Sequence, residues 1–389
     1  MLDVVLCIDI GTTSLKAGLI TALGEVVSFC TVPFEEPNNR FTACSWYSVF
    51  LRALERLDFE LSNSKNPLDS GGLQISGISI SGNGPTVVTD CGYTVLWNED
   101  TSDIKIPASE EVKKSLFVPK LLAVKNKAAG VYKKSKLIFS GPEFFIYVLT
   151  GQAVTILPEE RFMPAYWNDG VCQTCGIKNT LLPPFVDIGT KCGTISSEIL
   201  KEMRYASKEG SFAFSENCPV FAGGPDFIVA LIGTGTLHAG RLCDRCGSSE
   251  GLNFCTDKIL KGDGLRILPS VIPGLWNASY LIPDSGELSE AERLVKVEQG
   301  ICCLKNAADK AGISFPEEMA VTGGQTNDEL LLREKEERLG MKILRPAGGH
   351  FVHSELLGDA CAAWMGLGIY NSLPAAAEEI VRLQPYENL

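Results

Sequence analysis

The chain has 389 residues, 45% hydrophobic and 21% charged, which supplies a substantial core and enough length for two domains. Its net charge of −12, with no basic cluster, excludes a nucleic-acid binder, because phosphate contacts need grouped Lys and Arg. No charged-then-apolar leader and no run of about 18 apolar residues occurs, so the expectation is a cytoplasmic small-molecule enzyme with no membrane partner.

Strands are expected over residues 2–32, with Gly24 at the turn after the second. Residues 46–61 repeat Val49, Phe50, Ala53, Leu54 and Leu57 at helical spacing, and a polar loop follows to Gly72. A strand and turn fill 73–88, a helix 119–129, and Gly141-Pro142 opens another helix. The stretch 218–240 passes from a strand through Gly223-Gly224-Pro225-Asp226 into a small-residue helix, which Gly233-Thr234-Gly235 ends at the approach to a hinge. Beyond it come a helix over 294–311 stopped by Gly312, a strand at 319–321, a charged helix over 328–339, a strand at 341–344 and a final helix over 356–371. The expected domains are 1–236 and 237–389.

The densest chemical signal is Asp9-Ile10-Gly11-Thr12-Thr13-Ser14-Leu15-Lys16, set between two apolar runs. A strand thus ends in one carboxylate, and a hydroxyl-rich turn leads into a second strand. Backbone N–H groups and hydroxyls in such a turn hold phosphate oxygens, and Asp9 can hold magnesium through water. Gly11 is expected to supply close backbone approach and an unusual φ. The alternative is an ordinary buried hairpin with a polar turn. Residues 241–254 repeat the pattern around Gly247-Ser248-Ser249, so two phosphate-type turns would face each other across a cleft.

Fourteen cysteines include two Cys-x-x-Cys pairs, Cys172/Cys175 and Cys243/Cys246. The pairs lie far apart, and the histidines are His238, His350 and His353, so a zinc site is not expected. Reduced thiols are the expectation.

Asp9 to Lys16 resembles the first phosphate motif of the FGGY carbohydrate kinases, and other segments follow in the family's order. Residues 77–88 resemble its strand beside the sugar, Leu96-Trp97-Asn98-Glu99 its Leu-Trp-Asn-Asp segment, and Leu149-Thr150-Gly151 a helix end. Ala222-Gly223-Gly224-Pro225-Asp226 resembles the segment carrying the catalytic base, Gly323-Gly324-Gln325-Thr326-Asn327 the adenosine loop, and 358–368 the final helix. The resemblance implies an α/β fold of two ribonuclease-H-like domains, as in the actin and sugar-kinase superfamily, with a cleft between them. It also implies ATP and Mg2+ as cofactors, a sugar substrate and a homodimer surface.

On that resemblance Asp226 is the general base, and Asp9 is a catalytic residue and the magnesium ligand. Gly11, Thr12, Thr13, Ser14, Lys16, Gly247, Ser248 and Ser249 grip the phosphates, and Gly323, Gly324, Gln325 and Asn327 lie along the adenosine. Asn83, Trp97, Asn98 and Asp226 meet the sugar. The expected activity is phosphorylation of a small ketose or polyol, best a pentulose such as xylulose; the alternative is a non-catalytic sugar or nucleotide binder. Three departures stand out. Asn83-Gly84-Pro85-Thr86 replaces the usual sugar signature, no Arg closely follows Trp97-Asn98, and the family's Gly-Glu-Arg segment after Trp276 is missing.

Overall fold

The computed structural model describes residues 1–63, 72–246, 250–283, 285–346 and 353–386. Two seven-stranded sheets dominate them. In the first, the strands Leu2–Ile10, Ser14–Thr21 and Val26–Pro33 form an antiparallel meander, and Leu2–Ile10 also pairs in parallel with Leu73–Gly82. Pro219–Pro225 extends the sheet beyond Leu73–Gly82, again in parallel. This parallel centre places the C-terminal ends of three strands, at Ile10, Gly82 and Pro225, side by side. Their continuous apolar runs suit strands covered on both faces.

The helix Trp46–Asn63 buries Val49, Phe50, Ala53, Leu54 and Leu57, the stripe its sequence spacing requires. Phe50 meets Phe145 of the helix Glu143–Thr150 edge-on at 5.3 Å, which adds quadrupole attraction to burial. A satellite lobe within residues 87–181 has its own core, in which Phe117 stacks on Tyr166 at 4.7 Å. The loop carrying Trp97 springs from this lobe.

The second sheet orders its strands as Leu265–Pro269, Trp276–Ile282, Glu250–Thr256, Leu242–Cys246, Glu318–Gly323, Lys342–Pro346 and Leu383–Pro385. The helix Glu290–Lys310 packs on it and opens with a capping box in which Ser289 and Glu292 satisfy each other's backbone N–H groups. The helix Glu329–Leu339 starts from an Asp328 cap and stops at left-handed Gly340.

The chain does not stay in the second body after residue 236. The helices Ser354–Gly366 and Leu373–Ile380 return to the first core, where Leu356, Leu357, Ala360, Ala363 and Ala376 are buried. Only the strand Leu383–Pro385 goes back to the second sheet. The final helix ends at Gly366, short of the expected 371, and a separate helix follows. Glycines explain where it lands. A Cβ on Gly358 would stand 1.9 Å from the Val229 carbonyl oxygen, and one on Gly233 would stand 1.8 Å from that of Ser354. The helices Asp226–Ile232 and Ser354–Gly366 therefore cross almost backbone to backbone.

A second link joins the bodies. Arg161 donates to the carbonyls of Leu275, Ser270 and Ile272 at 2.9–3.1 Å and lies over the Trp276 ring at 4.9 Å. Among the described residues no helix is long and apolar enough to cross a membrane.

Candidate active site between the two sheets

The first hairpin pairs Asp9 directly with Lys16, and the Lys16 ammonium donates to Asp9 Oδ2 at 2.9 Å. The other carboxylate oxygen, Oδ1, is buried without a hydrogen-bond partner. Burial pushes the Asp9 carboxyl up, and Lys16 opposes it. For Lys16 burial acts downward, but Asp9 and Glu355 outweigh it and hold the ammonium above its usual range. The turn is tight: Gly11 N–H donates to the Ser14 carbonyl at 2.9 Å, and Phe34 N–H to that of Thr13 at 2.9 Å. Gly11 does not adopt the positive φ expected of it; a Cβ there would instead press on the Ser14 carbonyl oxygen at 3.0 Å.

Asp226 begins the helix Asp226–Ile232 at the end of Pro219–Pro225, on the far side of Leu73–Gly82 from Asp9, and its Oδ1 accepts from Phe227 N–H at 2.6 Å. Burial, then the Asp9 charge, push its carboxyl up to about 7 against the pull of Arg245. Two cleft residues went unrecognised in the sequence. Glu355, at the start of the final helix, lies 3.8 Å from Lys16 Nζ and 4.0 Å from Arg245 Nη2. Arg245 comes from the second hairpin, and its guanidinium covers the Phe227 ring at 5.2 Å. An Arg two residues before the second Gly-Ser-Ser turn was the available signal for one; Glu355 had none.

The strands flanking the second turn pair antiparallel as expected, from Leu242↔Phe254 to Cys246↔Glu250. Gly247, Ser248 and Ser249 themselves lie outside the described residues. Below this hairpin Lys335 is fully buried and donates to Asp244 Oδ2 at 2.5 Å, Glu250 Oε1 at 2.8 Å and Cys246 Sγ at 3.2 Å. Asp244, Cys246 and Glu250 are close enough together to hold a metal, but the Lys335 ammonium is the cation among them. All fourteen cysteines are free.

No family model matches the chain. It is 24% identical over 306 residues to a xylulose kinase of Staphylococcus epidermidis, a match covering 71% of this chain and 58% of that protein. It is 22% identical over 301 residues to a xylulose kinase of Lactococcus lactis, covering 69% of this chain and 57% of that one. The fold superposes on a Plasmodium falciparum glycerol kinase with ADP at a TM-score of 0.75 and 13% identity, covering 98% of this chain and 93% of that one. A ligand-bound xylulose kinase of Lactobacillus acidophilus gives 0.70 at 14% identity, with 98% and 93% covered. The chain is thus similar in sequence to xylulose kinases and in fold to solved sugar kinases. It spans about 58% of the length of the curated relatives it matches, and its α/β fold is that of the solved glycerol and xylulose kinases on which it superposes.

The loop carrying Trp97 leans on the turn of the first hairpin. Trp97 is 47% exposed, so it is not a core residue, and its indole N–H donates to Thr12 Oγ1 at 2.8 Å. Its backbone N–H donates to Thr86 Oγ1 at 3.1 Å, and the Thr86 hydroxyl in turn pairs with Asn83 Oδ1. Asn83 Nδ2 donates to the Ile10 carbonyl at 3.2 Å, so this amide ties two strand ends together. The Gly84-Pro85 peptide between them is cis. Asn98 is exposed. Arg40 ion-pairs with Glu99, bringing from another segment the arginine absent after Trp97-Asn98.

On the nucleotide side Gly323 has φ 96°, and a Cβ there would stand 2.1 Å from the Cys246 carbonyl oxygen. The adenosine-loop candidate therefore abuts the second phosphate hairpin. Gly324 and Asn327 are exposed, while Gln325 is turned inward and its amide lies 3.4 Å from Glu250 Oε2.

Proposed function

We propose that the chain transfers the γ-phosphoryl group of Mg-ATP to a hydroxyl of a small ketose or polyol, best read as a pentulose such as xylulose. The observation that carries this is that Asp9 and Asp226 stand at the ends of strands on either side of Leu73–Gly82, where the Asp9 charge helps to push the Asp226 carboxyl up. Asp226 accepts the proton of the sugar hydroxyl, and a carboxyl near pKa 7 suits a base at neutral pH. Trp97 walls the sugar on one side, with Asn83 and Asn98 at its edge. Thr12, Thr13, Ser14 and Lys16 hold phosphate oxygens from the first body, Gly247, Ser248 and Ser249 from the second. Gly323, Gly324, Gln325 and Asn327 border the adenosine.

The unpartnered Oδ1 of Asp9 fits an acceptor held ready for the hydration shell of magnesium. When bound, the ion neutralises charge on the phosphates. Closure of the two bodies excludes water from the transfer. The reading carries a cytoplasmic setting, a homodimer and the division at 236/237 with them, the helices Ser354–Gly366 and Leu373–Ile380 returning to the first body.

The second reading is a non-catalytic sugar or nucleotide binder, favoured by the short connection from Trp276–Ile282 to the helix at Glu290. ADP release with Mg-ATP across ketoses, aldoses, polyols and glycerol separates the two, with Asp226→Asn as control. Sugar-dependent release lost in the variant supports the kinase. Binding of ATP or sugar without turnover supports the binder.

A further inference from the structure

Asp244 and Cys246 face inward onto Lys335, and strand alternation sends the residue between them the other way. That residue is Arg245, which leaves the second body and reaches Phe227 and Glu355 of the first. The other cleft cation, Lys16, is already committed to Asp9 at 2.9 Å. Arg245 is not: among the described residues no acceptor lies within hydrogen-bonding distance of its guanidinium, and Glu355 stands off at 4.0 Å. Glu355 likewise ion-pairs with Lys16 at 3.8 Å without a hydrogen bond. One carboxylate thus ion-pairs at long range with two cations, one from each hairpin, and is hydrogen-bonded to neither.

We propose that Arg245 is a catalytic residue that binds the transferring phosphoryl group opposite Lys16, and that Glu355, lying between the two cations, competes with that anion for them. This rests on the kinase reading. In the transfer the acceptor oxygen forms a bond to the γ-phosphorus while the bridging bond to the β-phosphate oxygen breaks. Its electron pair leaves with ADP, and the hydroxyl proton passes to Asp226. Negative charge spreads over the equatorial oxygens as this happens, and a planar guanidinium is suited to meet two of them. Phe227, next in sequence to the base, holds the guanidinium plane and so ties its position to Asp226.

The test is titration of the full chain with Mg-ATP and with adenosine, alongside ADP release. Arg245→Met is expected to weaken ATP about tenfold and leave adenosine unchanged, with kcat down about 100-fold or more. Arg245→Lys recovers part of the ATP affinity. Glu355→Gln is expected to tighten ATP a few-fold, because the competing anion is gone; a merely structural role would weaken it. Wild-type ATP affinity and turnover in Arg245→Met overturn the proposal, as does equal loss of adenosine and ATP. Weaker ATP binding by Glu355→Gln removes the role given to Glu355. If the wild-type chain binds ATP but phosphorylates no sugar, the kinase reading fails and the titrations still decide whether Arg245 holds phosphate. If it binds no ATP, both fall.

Discussion

The indole N–H of Trp97 donates to the hydroxyl oxygen of Thr12 at 2.8 Å, so the candidate sugar wall and the first phosphate turn are one hydrogen bond apart. Trp97→Phe keeps an aromatic wall and loses that bond. A net hydrogen bond contributes about 1 kcal/mol, so kcat/KM is expected to fall about fivefold. Trp97→Ala removes the wall as well and should cost at least another tenfold, mainly as sugar KM. Steady-state kinetics with both substrates varied would check this, and an unchanged kcat/KM in both variants would refute it.

The proposed base, Asp226, predicts a pH dependence of two signs. A base must be ionised, so kcat/KM should fall tenfold per pH unit on the acid side of about 7. Stability runs the other way. The folded carboxyl keeps its proton above the ordinary value of 3.8, so its stabilising contribution is complete below that value and lost as pH rises through about 7. Glu143 and Glu250, also pushed up to about 7, add in the same sense. Asp226→Asn should lower kcat by about 10²–10⁴. It should also become more stable relative to the wild type as pH rises from about 4 to 8. A gap in denaturation midpoint that stays constant with pH would contradict the assignment.

Lys335 compensates Asp244 and Glu250 inside the second body, and all three side chains are fully buried. Lys335→Met leaves two carboxylates without a cation. Breaking a buried pair in this way costs about 3–5 kcal/mol, so urea denaturation should show a loss of that order or an unfolded second body. A loss below about 1 kcal/mol would contradict a stabilising role for this buried pairing.

Gly358 sits where the final helix meets the Val229 carbonyl, and an added Cβ would lie 1.9 Å from that oxygen. Gly358→Ala must therefore push the helices apart, at about 1–3 kcal/mol or more. Glu355 rides on the same helix, one turn away. Activity should drop further than the stability loss alone predicts, measured at a temperature where the variant remains folded.

Arg161 donates to three carbonyls of the 270–275 segment and stacks on Trp276. Arg161→Ala should lower stability by about 1–3 kcal/mol, because those carbonyls lose a charged donor. It should also increase protease cleavage within 270–275, since the segment loses its anchor to the first body.

Much of the site was legible because its chemistry is local in sequence. Asp9, Thr12, Thr13, Ser14 and Lys16 fall within eight residues of one hairpin, whose pairing sets Asp9 opposite Lys16. Asp226 was legible for the same reason, as a carboxylate at a strand-to-helix junction. The helix stripe of Val49, Phe50, Ala53, Leu54 and Leu57 followed from periodicity alone. The sequence by itself also determined the two hairpins and the acidic character of the chain.

Only the tertiary structure decided where the last helix goes. Nothing in its small-residue pattern names a partner, and it is the backbone approach at Gly233 and Gly358 that seats it on the first body. That seating brings Glu355 to Lys16, more than 300 residues away along the chain, and to Arg245 of the other body. The exposure of Trp97, the inward turn of Gln325 and the Arg161 link were set in the same way. Each depends on which surfaces pack together, and a pattern read along one segment carries the preferences of that segment without the partner it will bury against.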